Sequence, residues 1–151
     1  MNNPGSPILL IDDSPEDAVA TSRALRRANL ANPVYHCATG DEGLDFLFQR
    51  NQYAETGKAP RPGIILLDLN MPGTDGREVL SQIKQDESLK RIPVVVLTTS
   101  SDERDIETCY EIGSNSYITK PVDFDGFMMA IQRLTDYWFE VVILPKGIEQ
   151  A

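Results

Sequence analysis

Short apolar runs alternate along the chain with longer segments in which apolar residues recur at helical spacing. The runs are rich in Ile, Leu and Val without polar alternation, which is typical of strands buried on both faces of a parallel sheet. They predict five strands, in the segments PILLIDD, NPVYHCATG, IILLD, IPVVVLTTS and SNSYITKP. The fifth strand has the weakest pattern, because polar residues interrupt its short apolar stretch.

Each predicted strand is followed by a segment with a helical pattern. The first four are SPEDAVATSRALRRANL, DEGLDFLFQRN, DGREVLSQIKQDESL and DERDIETCYEIG, and the last runs from Asp123 to about Val142. Ser14 is a candidate N-cap of the first helix, with Pro15 at its first position and Asp17 at the capping-box position. Gly113 is a candidate C-terminal cap of the fourth helix.

The helical spacing also predicts which positions face the core. These are Val19, Leu25, Ala28 and Leu30 in the first helix, Val79, Leu80 and Ile83 in the third, and Phe127, Ile131, Leu134, Trp138 and Val141 in the last. Residues 51–63 carry Gly57, Pro60 and Pro62, and we expect a surface loop there.

Strands that alternate with helices predict an α/β fold with a doubly wound parallel sheet and helices on both faces. We expect one domain over residues 6–142, a C-terminal tail over residues 143–151, and no output domain.

Polar residues follow the ends of four predicted strands. In an open α/β sheet, ligands bind at the carboxyl ends of the strands, so these side chains are expected to converge at one edge. They are Asp12 and Asp13 after the first strand, Asp68 after the third, Thr98 and Thr99 after the fourth, and Lys120 after the fifth.

The charges of such a cluster limit what it can bind. Neighbouring carboxylates repel one another, and at least one would take up a proton unless a cation compensates. Lys120 supplies one positive charge, and oxygen ligands suit a hard divalent cation, Mg²⁺ or alternatively Mn²⁺. A cation, an ammonium and a hydroxyl around a carboxylate would hold a phosphoryl group in line with that carboxylate as nucleophile. A role as nucleophile would explain why the carboxylate of Asp68 is placed at the end of a buried strand.

Composition narrows the functional classes. The chain has 151 residues with 14 Lys+Arg against 23 Asp+Glu, a net charge of −9, which disfavours nucleic-acid binding. No apolar run approaches the ~20 residues that span a bilayer, and the N-terminus lacks the features of a signal peptide, so we expect a cytoplasmic protein without a membrane partner. Cys37 and Cys109 lack metal-site spacing and are expected to be small buried hydrophobes.

Four motifs resemble those of the receiver domain of two-component response regulators. They are IDD (11–13), LLDLNMPGTDG (66–76), LTTS (97–100) and YITKP (117–121), each at a predicted strand end and in the order of that family. The resemblance covers about residues 6–142. It implies a flavodoxin-like (βα)5 fold with strand order 2-1-3-4-5, and a phosphorelay protein rather than an enzyme.

The resemblance also implies roles for individual residues. Asp68 would be the phosphoacceptor, taking a phosphoryl group from a phosphohistidine of a sensor histidine kinase. Asp12, Asp13 and Asp68 would bind the metal together with the backbone carbonyl of Asn70. Lys120 and Thr98 would bind phosphoryl oxygens.

Further implied roles concern switching and the lifetime of the phosphoryl group. Thr98 would move with Tyr117 as the switch pair, and the Lys120–Pro121 peptide would be cis. Gly76 would fit a tight turn before the third helix. Phosphoryl lifetime would depend on Asn70, Thr99 and Ser100. Thr99 departs from the very small residue usual in the family at its position.

The long segment 51–63 and the apolar C-terminal tail resemble the stand-alone receivers that partner bacterial phytochrome kinases. That similarity implies a homodimer through the C-terminal region, and signalling to a downstream protein or a phosphotransfer protein. Apolar residues beyond one face of the last helix fit such a contact: Met128, Tyr137, Phe139, Val142 and Ile143.

Other interpretations stay open from the residues alone. Aspartate-dependent phosphatases share the nucleophile and the metal, but they need an acid where this chain has Asn70, and they need a cap domain. A receiver-shaped module that binds proteins without phosphorylation is the second alternative. Thr98 could be an ordinary strand residue and Tyr117 a core residue, and His36 is expected to be a solvent-facing strand residue.

Overall fold

The structure, a computed structural model, describes residues 6–27 and 32–138. The strands of this described part are β1 (Ile8–Ile11), β2 (Val34–Cys37), β3 (Ile64–Leu67), β4 (Val94–Thr98) and β5 (Ser116–Thr119). Its α-helices are α1 (Pro15–Arg27), α2 (Gly40–Phe48), α3 (Gly76–Gln85), α4 (Glu103–Ile112) and α5 (Phe124–Asp136). A short 3₁₀ helix, Asn51–Tyr53, lies between α2 and β3.

The strands form one parallel sheet in the order β2-β1-β3-β4-β5. This is the predicted doubly wound fold and the predicted strand order. All strands run in one direction, so the segments that follow β1, β3, β4 and β5 leave the sheet at the same edge. The polar residues at the predicted strand ends therefore lie along that edge.

Side chains of the sheet alternate between two cores. Leu9, Ile11, Ile65 and Leu67 belong to one core cluster, which also includes buried residues of α2, α3 and α4. Ile8, Leu10, Ile64 and Leu66 belong to the other, which includes buried residues of α1 and α5. The predicted core positions of α3 are confirmed, as are Phe127, Ile131, Leu134 and Trp138 in and after α5.

Local signals at two helix ends are also confirmed. The Ser14 hydroxyl accepts a hydrogen bond of 3.2 Å from the backbone N–H of Asp17, as an N-cap does. Gly113 caps α4 with φ of +130°, a conformation that favours glycine.

Two predictions about burial are wrong. Val19 is 54% exposed, because α1 packs through the small residues Ala18, Thr21 and Ala24 together with Leu25, which was predicted correctly. The segment 51–63 is not only a surface loop. Tyr53 packs its ring against Phe46 with 5.0 Å between ring centroids, and Ala59 is buried.

Some predictions lie outside the described residues. They are the positions Ala28, Leu30 and Val141, the end of the last helix near Val142, the apolar residues Phe139, Val142 and Ile143, and the boundary between domain and tail. Within residues 6–27 and 32–138, no helix has the length and apolar character needed to cross a membrane.

Candidate functional site

Three carboxylates meet at the carboxyl edge of the sheet. Asp12 and Asp13 follow β1, and Asp68 follows the neighbouring strand β3. One oxygen of each lies within 4.8 Å of the others. Asp12 is 1% exposed and Asp68 is 7% exposed, so both carboxylates are buried. The structure therefore brings together the three acids that the sequence predicted to converge.

Lys120 supplies the positive charge of this cluster. Its Nζ donates a hydrogen bond of 2.7 Å to Oδ2 of Asp12 and lies 3.7 Å from Oδ2 of Asp68. The other oxygen of Asp12 accepts a hydrogen bond of 2.9 Å from the backbone N–H of Ser14. Both oxygens of the buried Asp12 carboxylate are thus hydrogen-bonded, as a buried charge requires.

Asp17 is a member of the site that sequence reasoning missed. Its Oδ2 accepts a hydrogen bond of 2.8 Å from Nζ of Lys120. The sequence suggested only a capping role for this residue. The available signal was its position in the first turn of α1, the helix that directly follows the two acids at the end of β1. With Asp17, three carboxylates lie within 4.0 Å of the Lys120 ammonium: those of Asp12, Asp17 and Asp68.

Burial and pairing shift the ionisation of the central pair. Burial raises the pKa of the Asp12 carboxyl, and the hydrogen bond from Lys120 offsets only part of this effect. Burial acts to lower the pKa of Lys120, but the hydrogen bonds to Asp12 and Asp17 outweigh it and the pKa is raised. Lys120 is therefore a firmly held cation within the acid cluster.

Thr98 and Thr99 differ in their surroundings. Thr98 ends β4, next to β3 in the sheet, and is fully buried. Its hydroxyl is one of the few buried polar atoms in the described part of the chain that has no hydrogen-bond partner. A buried hydroxyl without a partner costs ~1–3 kcal/mol, which an incoming acceptor would recover. Thr99 is exposed and lines a cleft beside Lys120.

Tyr117 is half-buried and packs against the core that contains α3 and α4. Its hydroxyl donates a hydrogen bond of 2.9 Å to the backbone carbonyl of Ser100. The Ser100 hydroxyl in turn donates to Asp105 in α4. The predicted switch aromatic is therefore attached to the loop that follows Thr98.

The segment between β3 and α3 is held close to the sheet. Gly76 is buried, and a Cβ at this position would lie 2.3 Å from the carbonyl oxygen of Asp68. The glycine is required by this close backbone approach at the turn before α3. Asn70 is exposed two residues after Asp68, and the Thr74 hydroxyl donates a hydrogen bond to Asp41 of α2.

The prediction of a cis Lys120–Pro121 peptide is wrong for this structure. The described residues contain no cis peptide bond, so this bond is trans. The trans form of a bond before proline is intrinsically favoured by about 0.5–1 kcal/mol and needs no special support.

The remaining candidate residues behave as expected. His36 is exposed on β2, and its Nε2 lies 2.8 Å from the backbone oxygen of Asp12. Cys37 and Cys109 are both free and buried. Burial is the main reason why the pKa of Cys37 rises to about 12 and that of Cys109 to about 11.

The acid cluster suits a hard divalent cation. Its donors are carboxylate oxygens close enough to share one ion, and the surrounding charge is negative even with Lys120 present. Oxygen donors of this kind are preferred by Mg²⁺ and Mn²⁺. The residues present therefore fit the predicted metal.

An open cleft lies beside the acid cluster. It has a volume of about 480 Å³ and is bounded by Asp17, Lys120 and Phe124, among others. Val122 at its rim is fully exposed, and Phe124 is 54% exposed. The approach to the charged cluster is therefore lined in part by exposed apolar side chains.

Comparison with known proteins agrees with this geometry. The model of the response regulator receiver domain matches residues 8–132. The chain belongs to the response regulator receiver domain family. Response regulator Rcp1 of Synechocystis sp. is 41% identical over 146 residues, which are 97% of each chain.

Two solved structures have the same fold as this receiver domain. The Mn²⁺-bound form of Rcp1 superposes with a TM-score of 0.88 at 40% identity, over 93% of this chain and 99% of that one. The phosphorylated cyanobacterial phytochrome response regulator RcpA superposes with a TM-score of 0.88 at 38% identity, also over 93% of this chain and 99% of that one. This receiver domain is therefore similar to response regulators associated with phytochrome.

Proposed function

We propose that this receiver domain is a phosphorylation switch in which Asp68 accepts a phosphoryl group from a partner histidine kinase. The observation that carries the proposal is the position of the Lys120 ammonium, bonded to Asp12 and 3.7 Å from Asp68. A fixed cation at that place can bind a phosphoryl oxygen as the group arrives on Asp68.

The transfer step follows from the chemistry of the two partners. An Asp68 carboxylate oxygen attacks phosphorus, and the P–N bond of the phosphohistidine breaks as the P–O bond of an acyl phosphate forms. The imidazole nitrogen keeps the electron pair of the broken bond and takes up a proton. Lys120 holds one oxygen of the transferring group. Catalysis of this kind is mainly positioning and charge stabilisation.

A divalent cation has a defined place in this proposal. Asp12, Asp13 and Asp68 would hold it, together with the carbonyl of Asn70. When bound, the cation supplies positive charge that offsets the carboxylates and the phosphoryl oxygens. Mg²⁺ is the proposed ion, with Mn²⁺ as a substitute, and the Mn²⁺-bound relative supports this assignment.

Thr98 and Tyr117 would change the partner-binding surface of the protein in response to phosphorylation. The buried Thr98 hydroxyl lacks a partner among the described residues, and a phosphoryl oxygen on Asp68 would give it one. Because Tyr117 is bonded to the loop after Thr98, movement of Thr98 would be transmitted to this aromatic side chain. Three residues are proposed to set the lifetime of the phosphoryl group. Asn70 lies in the segment after β3, and Thr99 and Ser100 lie directly after β4, at the same edge of the sheet.

Phosphoryl uptake from a small donor tests the function. The protein is incubated with Mg²⁺ and acetyl phosphate, and intact mass is recorded at once, beside Asp68→Asn, an EDTA sample and the surface control Asp136→Asn. We expect a metal-dependent gain of one phosphate that only Asp68→Asn abolishes. No gain with either acetyl phosphate or a phosphorylated kinase would contradict the proposal and favour a module that binds proteins without phosphorylation.

We further propose that the donor is a histidine kinase of the bacterial phytochrome class. The similarity of this receiver domain to a cyanobacterial phytochrome response regulator and a bacteriophytochrome response regulator supports this class of partner. The exposed Val122 and Phe124, which line the cleft with Lys120, are side chains that a protein donor would cover. Val122→Glu should therefore slow transfer from the kinase but leave uptake from acetyl phosphate intact. Met129→Glu, which changes an equally apolar exposed position on α5, should affect neither.

A homodimer through the C-terminal region stays part of the proposal. The described part of the chain supports it with Tyr137, which is 54% exposed at the end of α5. Light scattering of the full chain, with and without phosphorylation, would measure the oligomeric state, and a monomer at all concentrations would contradict it.

A further inference from the structure

The first turn of α2 contacts the segment that joins β3 to α3. The Thr74 hydroxyl donates a hydrogen bond to Oδ1 of Asp41. Gly40 is buried beside the same threonine, and a Cβ at Gly40 would lie 2.5 Å from the carbonyl oxygen of Thr74. Both the side chain and the backbone of Thr74 are therefore held against α2. We call Gly40, Asp41 and Thr74 the α2 contact.

The same segment is closed on itself at its two ends. The carbonyl oxygen of Leu69 accepts hydrogen bonds from the backbone N–H groups of Met71 and Gly76, with N to O distances of 3.2 and 2.9 Å. Between these ends, Pro72 and residue 73 are exposed. In the described part of the chain, the bond from Thr74 is the side-chain hydrogen bond that ties this exposed stretch to another element of the fold.

The segment carries a proposed ligand of the metal, the backbone carbonyl of Asn70. The carboxylates of Asp12 and Asp68 are buried at strand ends, whereas Asn70 is exposed, so its position depends on the path of the segment. A ligand that is ordered before the metal arrives loses less conformational freedom on binding. Contacts that orient metal ligands therefore raise the affinity, although they do not touch the metal.

We propose that Asp41 and Thr74 are positioning residues that raise the affinity for Mg²⁺ by holding the segment after β3 in place. This inference rests on the metal site of the proposed function. Asp41 is not one of the acids that group at the sheet edge in the described part of the chain, so it acts through Thr74. Loss of the α2 contact should leave the three acids in place and weaken metal binding.

Calorimetric titration of the metal-free protein with Mg²⁺ tests the contact. Thr74→Val removes the hydroxyl without a change of charge, and we expect the Kd to rise about two- to tenfold, as for the loss of one hydrogen bond. Thr74→Ser keeps a hydroxyl and should restore the wild-type Kd. Ser88→Ala is the matched control. It removes a hydroxyl that donates to Asp86 between α3 and β4, at the opposite edge of the sheet.

A double-mutant cycle separates the contact from the charge of Asp41. Asp41→Ala removes both the acceptor and one negative charge, so it should raise the Kd at least as much as Thr74→Val. Adding Thr74→Val to Asp41→Ala should cause no further rise, because the acceptor of its hydroxyl is already gone. A full further rise would show that Thr74 acts without Asp41 and would overturn the proposal.

Amide hydrogen exchange gives a second readout that needs no metal. The N–H of Gly76 closes the segment by its bond to Leu69, so its exchange reports whether the segment opens. In metal-free Thr74→Val this N–H should exchange faster than in the wild-type chain, whereas Thr74→Ser and Ser88→Ala should leave it unchanged. Equal exchange in Thr74→Val and the wild-type chain would contradict the ordering role.

The outcomes separate this inference from the proposed function. An unchanged Kd in Thr74→Val, or an equal rise in Ser88→Ala, would overturn the role of the α2 contact and leave phosphoryl transfer to Asp68 standing. A raised Kd in Thr74→Val, without phosphoryl uptake by the wild-type chain at saturating Mg²⁺, would support the contact and overturn the role of Asp68. Absence of Mg²⁺ binding by the wild-type chain would overturn the metal site and this inference together.

Discussion

The ammonium of Lys120 lies 2.7 Å from a carboxylate oxygen of Asp12, although 108 positions separate the two residues in the sequence. The contact exists because β1 and β5 end at the same edge of a parallel sheet. It fixes a buried cation among acids that would otherwise repel one another. The chemistry proposed for Asp68 depends on this arrangement.

Removal of the Asp17 carboxylate should weaken binding of Mg²⁺. Asp17→Asn takes away one negative charge and leaves Lys120 with Asp12 and Asp68 as its acidic neighbours, so the ammonium competes more strongly with the metal. We expect the Kd for Mg²⁺ to rise by about three- to tenfold, as for one charge at the edge of a protein site. Calorimetric titration measures it. Glu16→Gln removes the same charge from the exposed neighbour, and an equal effect there would refute a specific role for Asp17.

A methyl group at Gly76 should disturb the end of β3. In Gly76→Ala the new Cβ would lie 2.3 Å from the carbonyl oxygen of Asp68 and 2.6 Å from Cα of Leu69, so backbone must move. We expect a loss of about 1–3 kcal/mol in the free energy of unfolding, measured by denaturant titration, and slower phosphoryl uptake. Gly57→Ala is the comparison: nothing lies within 4 Å of its Cβ, but its φ of +87° strains any side chain, so it should lower stability without slowing uptake. Normal uptake by Gly76→Ala would argue against the proposed tight coupling between this turn and Asp68.

The two thiols should be unreactive in the folded protein. Both cysteines are buried, and burial raises the pKa of Cys37 to about 12 and that of Cys109 to about 11. Only a thiolate reacts quickly with iodoacetamide, so labelling near pH ~8 should be limited by opening of the structure. Labelling followed by mass spectrometry, with and without denaturant, measures this. Native labelling as fast as in denaturant would show that the cores around these thiols are not closed.

Asp86 should make stability depend on pH in the acid range. Its carboxylate accepts hydrogen bonds from the Ser88 hydroxyl and from two backbone N–H groups, and the bond from Ser88 is the main reason why its pKa is lowered. Because the folded pKa lies below the unfolded value of ~3.9, this stabilisation is complete above that pH and is lost as pH falls through the folded pKa.

The variant Asp86→Ala tests this dependence. It should lower the free energy of unfolding by about 1 kcal/mol at neutral pH, as the loss of a cap does, and the deficit should shrink below pH ~4. Glu87→Ala, at a neighbouring side chain that is 89% exposed, should show neither effect. A deficit that stays constant down to low pH would contradict the assigned hydrogen bonds.

The sequence predicted the sheet and the acid cluster well, because both depend on local patterns. Buried strands appear as apolar runs, and polar residues directly after them must lie at the edge where parallel strands end. Asp12, Asp68 and Lys120 could therefore be placed together without a structure. Val79, Leu80 and Ile83 were also predicted correctly from helical spacing.

The features that the sequence did not predict depend on which elements pack together. Asp17 has a local explanation as a capping residue, and only the position of Lys120 against α1 shows its second role. Val19 fits a helical apolar face, but the small residues of α1 are the ones that pack inward. The pair between Arg77 and Asp105 joins two helices, and charge patterns along one helix do not reveal it.

The most direct test of the central claim is to locate the phosphoryl group on the chain. The protein is phosphorylated with acetyl phosphate and Mg²⁺ and treated with borohydride, which reduces an acyl phosphate to an alcohol, and the peptides are then sequenced by mass spectrometry. We expect a single reduced carboxyl, at Asp68, that is absent when Mg²⁺ is removed by EDTA. Reduction at Asp12 or Asp13 instead, or no reduced residue in a chain whose metal binding has been verified, would contradict it.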